Sequence, residues 1–330
     1  MAITAIQQVL TLDYWKRADK VKIGDYVFNK DGEIVQVKLV QHYYANECYE
    51  VTFDDHLTIR GDKHLGFLIQ DRNHRKQLDA YKNIRPFKRQ LKFTKLENLI
   101  DLSLKDKRGR TKYSIPTTKP IMFPHQVLSI PPFVFGYWLY NKNKKHQMVT
   151  IPGYQDFIYE KFRSCGYKII EGPKRKNGKR VFITEPAIHL QLAPNIPSRL
   201  PTNYLFASVE ERIELLTGIM HAKSAQYEKR NDRFRFSSRN LNVVVQIQSL
   251  VESLGSKTSI LFNLARNTYT LYFKFRIKIM DIQKSPPIKV YPSRRYIKAI
   301  EPTQSQMCVH IETNGPDNSI LVGEGFIQTC

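Results

Sequence analysis

Pro131-Pro132-Phe133-Val134-Phe135-Gly136-Tyr137-Trp138-Leu139-Tyr140-Asn141 and Arg212-Ile213-Glu214-Leu215-Leu216-Thr217-Gly218-Ile219-Met220-His221-Ala222-Lys223 are the two stretches that decide the fold. Each is an apolar run interrupted by one glycine and closed by a polar turn. Ser208 and Glu211 form a capping box ahead of the second run, which predicts a helix start there. A glycine inside an apolar helix costs about 1 kcal/mol relative to alanine. Two of them at matching places therefore predict close helix–helix approach. Pattern alone gives two buried core helices.

Around these runs, composition narrows the possibilities. At 330 residues and 42% apolar content the chain is long enough for two or three domains, each with its own core. No apolar run reaches the roughly 18 residues that a membrane span needs, and the N-terminus lacks the pattern of a signal peptide. Cys48, Cys165, Cys308 and Cys330 are scattered, with no CxxC pair, so neither a zinc site nor a disulfide framework is indicated. A reducing, cytoplasmic compartment is the simpler expectation. The formal charge of +22 implies a polyanionic partner, nucleic acid first.

The two quoted stretches resemble the paired motifs of LAGLIDADG homing endonucleases, of the variety inserted in inteins. The resemblance implies that the motif helices pack through their glycines and that the carboxylate ending each helix binds a divalent metal. The flanking sequence repeats in the same sense. Arg233-Phe234-Arg235-Phe236-Ser237-Ser238 alternates like a strand on a DNA-facing sheet, Leu241 to Leu254 stops at Gly255 as a helix does, and Thr268 to Phe275 is another strand. Tyr154 to Gly166 is the matching helix of a first repeat, and Ser164-Cys165-Gly166 parallels Ser253-Leu254-Gly255. The expected plan is the pseudo-symmetric αββαββα domain of that family.

The chain departs from the family where the metal belongs. Hard oxygen ligands hold Mg²⁺ in such nucleases. Here the carboxylate positions carry Asn141 and Lys223. A neutral amide is a poor ligand and an ammonium repels the ion. The expectation is a nuclease that binds no Mg²⁺ and does not cut, with its basic DNA-binding surface retained. An active nuclease using other acids, such as Asp156 or Asp232, is the competing expectation.

Both ends of the chain resemble the splicing blocks of inteins. Thr11, Asp13 and Trp15, then Val21-Lys22-Ile23-Gly24-Asp25-Tyr26-Val27-Phe28, match a first block. Val51-Thr52-Phe53-Asp54-Asp55 followed by Asp62-Lys63-His64-Leu65 matches a second. Asn318 to Thr329 matches the last blocks. The implied fold is the HINT domain, an all-β horseshoe built from both termini. The implied reaction is self-excision by acyl shift, transesterification, asparagine cyclisation and acyl rearrangement, with no cofactor.

In that frame the first-residue nucleophile falls on Ala2, whose methyl group has no nucleophilic atom. Ala2 is either an engineered replacement of cysteine or a native alanine, as in some inteins. His64 is expected to protonate or polarise the scissile amide. Gly61 stands where the family has a threonine. The family's final His-Asn is replaced in one of two registers: Cys330 at the histidine position with the asparagine absent, or Thr329 and Cys330 at both positions. The first is preferred. Cys330 is a candidate nucleophile only if the native chain continues beyond it.

Between the blocks lies a basic stretch. Lys82, Arg85, Lys88, Arg89 and Lys92, with Tyr81, Phe87 and Phe93 interleaved, and then Arg108 and Arg110 around Gly109, suit phosphate contact and stacking. Arg233, Arg235 and Lys274 extend the same expectation into the second repeat. Prolines 116, 120, 124, 131, 132, 286, 287 and 292 mark linkers. The expected organisation is an α+β multidomain chain. Residues 1–70 and 286–330 form the splicing domain, 71–125 a basic bridging segment, and 126–285 the endonuclease-like domain with repeats at about 126–200 and 201–285. Partners implied are double-stranded DNA and the flanking segments (exteins) of a terminase- or helicase-like host, for a monomer. A DNA-binding protein that neither splices nor cuts is the alternative class.

Overall fold

The computed structural model describes residues 2–79, 91, 93–143, 148–152, 156–171, 181–184, 200–222, 225–275 and 293–330. The chain divides into two units: residues 1–123, 251–259 and 286–330 form the first, and 124–250 with 260–285 the second. The α+β, multidomain expectation is what the structure shows. Contacts gather residues 71–123 into the first unit, and with them 251–259, which the sequence reading gave to the central domain.

The first unit is built on one 12-stranded sheet. Its frame is two sets of consecutive strands from opposite ends of the chain, Ile34–Ala45 then Cys48–Phe53, and Arg294–Thr303 then Gln306–Thr313, whose members are not sheet neighbours within a set. Each strand of one pairs antiparallel with a strand of the other. Period-two patterning explains the faces: Val35 and Val37 point inward from a strand whose Ile34 is exposed. The strand Ala2–Thr4 lies between Thr58–Asp62 and Gln306–Thr313. The last hairpin, Ile320–Val322 with Ile327–Thr329, joins the sheet through Gln8–Thr11. Ile3, Val51, Ile59, Phe67, Val309 and Ile327 share one core. Asp71 to Lys76, a polar basic run in the sequence, opens a helix at Arg72–Asp79. Asp71 caps it by accepting the His74 N–H at 2.8 Å.

In the second unit the helices Pro132–Asn141 and Val209–His221 pack directly against one another. A Cβ on Gly136 would collide with the Leu215 carbonyl oxygen and sit 3.0 Å from the Ile219 nitrogen; one on Gly218 would collide with the Phe133 carbonyl and approach the Tyr137 nitrogen to 2.9 Å. The glycines are thus what allows the two backbones to touch. The capping box forms: Ser208 accepts the Glu211 N–H at 3.3 Å, and the Glu211 carboxylate accepts the Ser208 N–H at 2.8 Å.

Each helix leads into the same series. The first is followed by strands Lys142–Asn143 and Met148–Pro152, helix Asp156–Ser164, and strands Ile169–Glu171 and Val181–Thr184. The second is followed by Ala225–Glu228 and Arg233–Ser238, helix Leu241–Ser253, and Thr258–Asn263 and Thr268–Phe273. Both four-stranded sheets have the spatial order first, second, fourth, third. Gly166 and Gly255, each two residues past a helix end, have φ of +84° and +86°. The first six elements of the expected αββαββα plan occur twice; the residues that follow each copy, 185–199 and 276–292, where the plan's last helix is expected, lie outside the described residues.

Candidate functional site

Residues Thr58 to Leu68 bring the two chain ends together. Ile3 pairs with Gly61 in the sheet. A side chain at Gly61 would collide with the Ala2 carbonyl oxygen and press on Leu65 at 2.9 Å. So the missing threonine hydroxyl leaves no gap, because the Ala2 backbone fills its place. Five residues on, Gly66 and Cys330 exchange both backbone hydrogen bonds, at 2.8 and 3.1 Å. A Cβ on Gly66 would lie 2.7 Å from the Cys330 Sγ. Two glycines on one stretch thus receive Ala2 and Cys330.

His64 stands between those contacts, in the turn joining Thr58–Asp62 to Gly66–Leu68. Its backbone N–H donates to Asp62 Oδ1 at 2.8 Å, its side chain is 50% exposed, and its Nδ1 lies 3.7 Å from Glu97 Oε2. Asp62 is buried and also accepts the Tyr43 hydroxyl at 2.5 Å. Burial, and next the hydrogen bond to Asp62, push the Tyr43 phenol far above its usual range. Asp62 therefore fixes the turn that carries His64, a role signalled in the sequence by an aspartate two residues before the histidine. Beside it, Cys48 and Cys308 are buried with their sulfurs 3.8 Å apart. Burial pushes the Cys330 thiol up to about 11, so this thiol is protonated at neutral pH. Thr329 is buried and its hydroxyl donates to the Ile320 carbonyl at 3.5 Å.

Ala2, the seat of the expected first nucleophile, is buried and lies directly opposite His310 in the sheet. His310 is a residue the sequence reading passed over. Its Nε2 is 2.9 Å from Glu312 Oε1.

The expected metal positions end the two glycine-bearing helices or follow them. Asn141 is the last residue of its helix; Lys223 lies outside the described residues, two positions beyond His221. An amide and an ammonium do not suit a hard dication. Among the described residues no group of three or more His, Cys, Asp or Glu side chains gathers to hold a metal. Asp232 sits in a hairpin turn, accepting the Tyr227 hydroxyl at 2.6 Å, and Asp156 opens a helix, exposed.

Of the expected nucleic-acid contacts, Lys82, Arg85, Lys88, Arg89 and Lys92 lie outside the described residues. Arg108 and Arg110 are exposed on a turn organised by Asp106, which accepts both their backbone N–H groups at 2.8 and 3.0 Å. Those bonds, the Arg110 backbone first, hold the Asp106 carboxyl down at about 2. Arg233 and Arg235 alternate with buried Phe234 and Phe236, as the pattern predicts. Arg233 pairs with Glu228 at 2.6 Å and lies over the Tyr272 ring at 4.1 Å; Arg235 bonds Gln226. Lys274 is exposed beyond the neighbouring strand. A cleft of about 350 Å³ in the first unit gathers Arg72, Arg75, Arg110 and Lys112 of the basic stretch with Asp54, Asp106 and Tyr296, and adds one cation from outside that stretch, Lys298.

None of the protein-family models matches the chain. Among curated proteins, the replicative DNA helicase DnaB of Mycobacterium intracellulare is 22% identical over 352 aligned residues, covering 96% of this chain and 58% of that protein. The chain thus spans little more than half of that relative's length. Among solved structures it is similar to the MchDnaB-1 intein, at 23% identity over 21% of this chain and 53% of the other, with a TM-score of 0.20. It is also similar to the gp41-1 intein, at 16% identity over 34% and 73%, TM-score 0.23. Variants of the homing endonuclease I-DmoI are 12% identical over 45% of this chain and 89% of theirs, TM-score 0.32. No helix among the described residues is long and apolar enough to cross a membrane.

Proposed function

We propose that the chain is a large intein, a protein-splicing element whose splicing unit is formed by both chain ends and interrupted by a LAGLIDADG-type insert. One observation carries this: Thr58 to Leu68 receives Ala2 at Gly61 and Cys330 at Gly66, with His64 between them. Splicing requires that two peptide bonds remote in sequence react with each other, and this arrangement brings their positions to one turn. His64, held by Asp62, polarises the upstream amide. Ala2 offers no nucleophile, so the acyl shift cannot start in this sequence. The native host is helicase-like, supported by the relative in Mycobacterium intracellulare. The element works as a monomer in the cytoplasm, in keeping with its four free cysteines.

The test places Ala2→Cys, extended by a terminal His-Asn, between two reporter proteins. A ligated reporter product is expected; its complete absence, with the protein folded, refutes the splicing assignment.

The insert, in this proposal, binds double-stranded DNA and does not cut it, because the residues at its helix ends are Asn141 and Lys223. Filter binding should show affinity falling steeply with salt, as phosphate neutralisation dictates. Supercoiled plasmid incubated with Mg²⁺ or Mn²⁺ should remain uncut, and clean double-strand breaks would show that other acids serve.

A further inference from the structure

The pairing of the first strand places a second histidine at the upstream junction. Ala2 is opposite His310 and Thr4 opposite Cys308. Residues directly opposite in an antiparallel pair share a face, their Cβ atoms about 4.5–5.5 Å apart. Any side chain at position 2 therefore rises beside the His310 imidazole. Glu312, two residues along and hence on the same face, holds that imidazole through the 2.9 Å contact at Nε2. On the other flank, the pairing of Ile3 with Gly61 sets Asp62 across from Ala2. The Asp62 carboxylate already accepts the His64 N–H on one oxygen and the Tyr43 hydroxyl on the other. Gln41, opposite His310 in the next strand, has no ionisable group. Nucleophile position, imidazole and carboxylate thus follow one another, as they do where a base activates a weak nucleophile and a third group orients the base.

We infer that His310 is the proton-transfer residue of the first splicing step, acting on a cysteine or serine at position 2, with Glu312 as its positioning residue. The inference rests on the splicing assignment above. With cysteine at position 2, the imidazole takes the Sγ proton as sulfur bonds the upstream carbonyl carbon. The bond from that carbon to the residue 2 nitrogen breaks, and the departing amine takes the proton back from the imidazole. The products are a thioester and a free amine, and nothing is oxidised or reduced. His64 keeps its separate task at the amide.

The test uses the full chain with Ala2→Cys and a reporter protein fused upstream, in dithiothreitol, which releases the reporter from the thioester. Ala2→Cys alone should release it. Adding His310→Gly should slow release roughly 100-fold, the scale of general acid–base catalysis, and imidazole in the buffer should restore most of the rate. Glu312→Gln should give a smaller loss that the same imidazole does not repair. Unchanged release in His310→Gly overturns the inference and leaves the splicing assignment standing. Loss that imidazole fails to rescue assigns His310 a structural role and overturns it too. No release from Ala2→Cys itself removes both.

Discussion

At the scale of single residues, glycines decide where backbones meet. Gly136 and Gly218 were legible from the sequence, because a glycine within an apolar helix needs a reason and close packing is the commonest. Gly61 and Gly66 were not legible in that way. What crowds them is backbone from the chain ends, Ala2 in one case and Cys330 in the other. Gly136→Ala and Gly218→Ala should each destabilise the second unit by about 1–3 kcal/mol, the usual range for overpacking. The colliding atoms are main-chain oxygens, which cannot rotate away. Urea denaturation followed by tryptophan fluorescence, with Trp138 buried in one of the two helices, measures the loss. Full stability in either variant would mean that the helices do not touch there.

At the scale of elements, the sequence showed strands by alternation and helices by their caps. It did not show the ion network that joins elements distant along the chain. Arg295 is buried on a strand near the C-terminus, its Nε 2.6 Å from Asp55 and its Nη2 3.4 Å from Glu252. Glu252 in turn accepts the Thr258 hydroxyl at 2.7 Å. No local pattern connects a strand-turn aspartate, a helix-terminal glutamate and a late arginine, which is why the site was missed. Removing one partner of a buried pair leaves a charge without compensation, typically at 3–5 kcal/mol. Asp55→Asn should approach that cost, measured as a lowered denaturation midpoint of the full chain. Asp19→Asn, which breaks the partly exposed pair with Arg17, should change it little.

At the scale of the whole molecule, the sequence supplied the division into a split β unit and a doubled insert. It supplied them because stretches that resemble splicing blocks lie at the two ends and the glycine-bearing helices between. A charge cluster then joins the two halves of the β unit. Lys30 lies 2.7 Å from both Asp31 and Asp317, and Lys119 pairs with Asp31 at 2.7 Å. For Asp31 and Asp317 burial alone would raise the carboxyl, but hydrogen bonds from the lysines outweigh it and the net shift is downward from 3.8. For Lys30 burial opposes the charge, yet the two carboxylates raise it above its ordinary 10.5. A depressed carboxyl contributes stability above its unfolded value that is lost as pH falls through the folded one. A raised lysine contributes stability below its unfolded value that is lost as pH rises through the folded one. The cluster's contribution should thus be level from about pH 4 to pH 10 and fall away on both sides. Asp317→Asn should remove about 1 kcal/mol on that plateau and lessen the acid-side decline, as measured by melting temperature against pH.

Residues 251–259 belong to the β unit although the insert surrounds them on both sides. They are fastened there by Lys257 on Asp54 at 2.6 Å, by the Ser253 carbonyl accepting the Ile121 N–H at 2.9 Å, and by Glu252 beside Arg295. The insert is therefore not a cassette that can be lifted out between residues 123 and 286. A lineage or an engineer discarding it in one cut would strand Arg295 without Glu252. Shedding the second unit cleanly takes two deletions, with these nine residues kept as a graft between them.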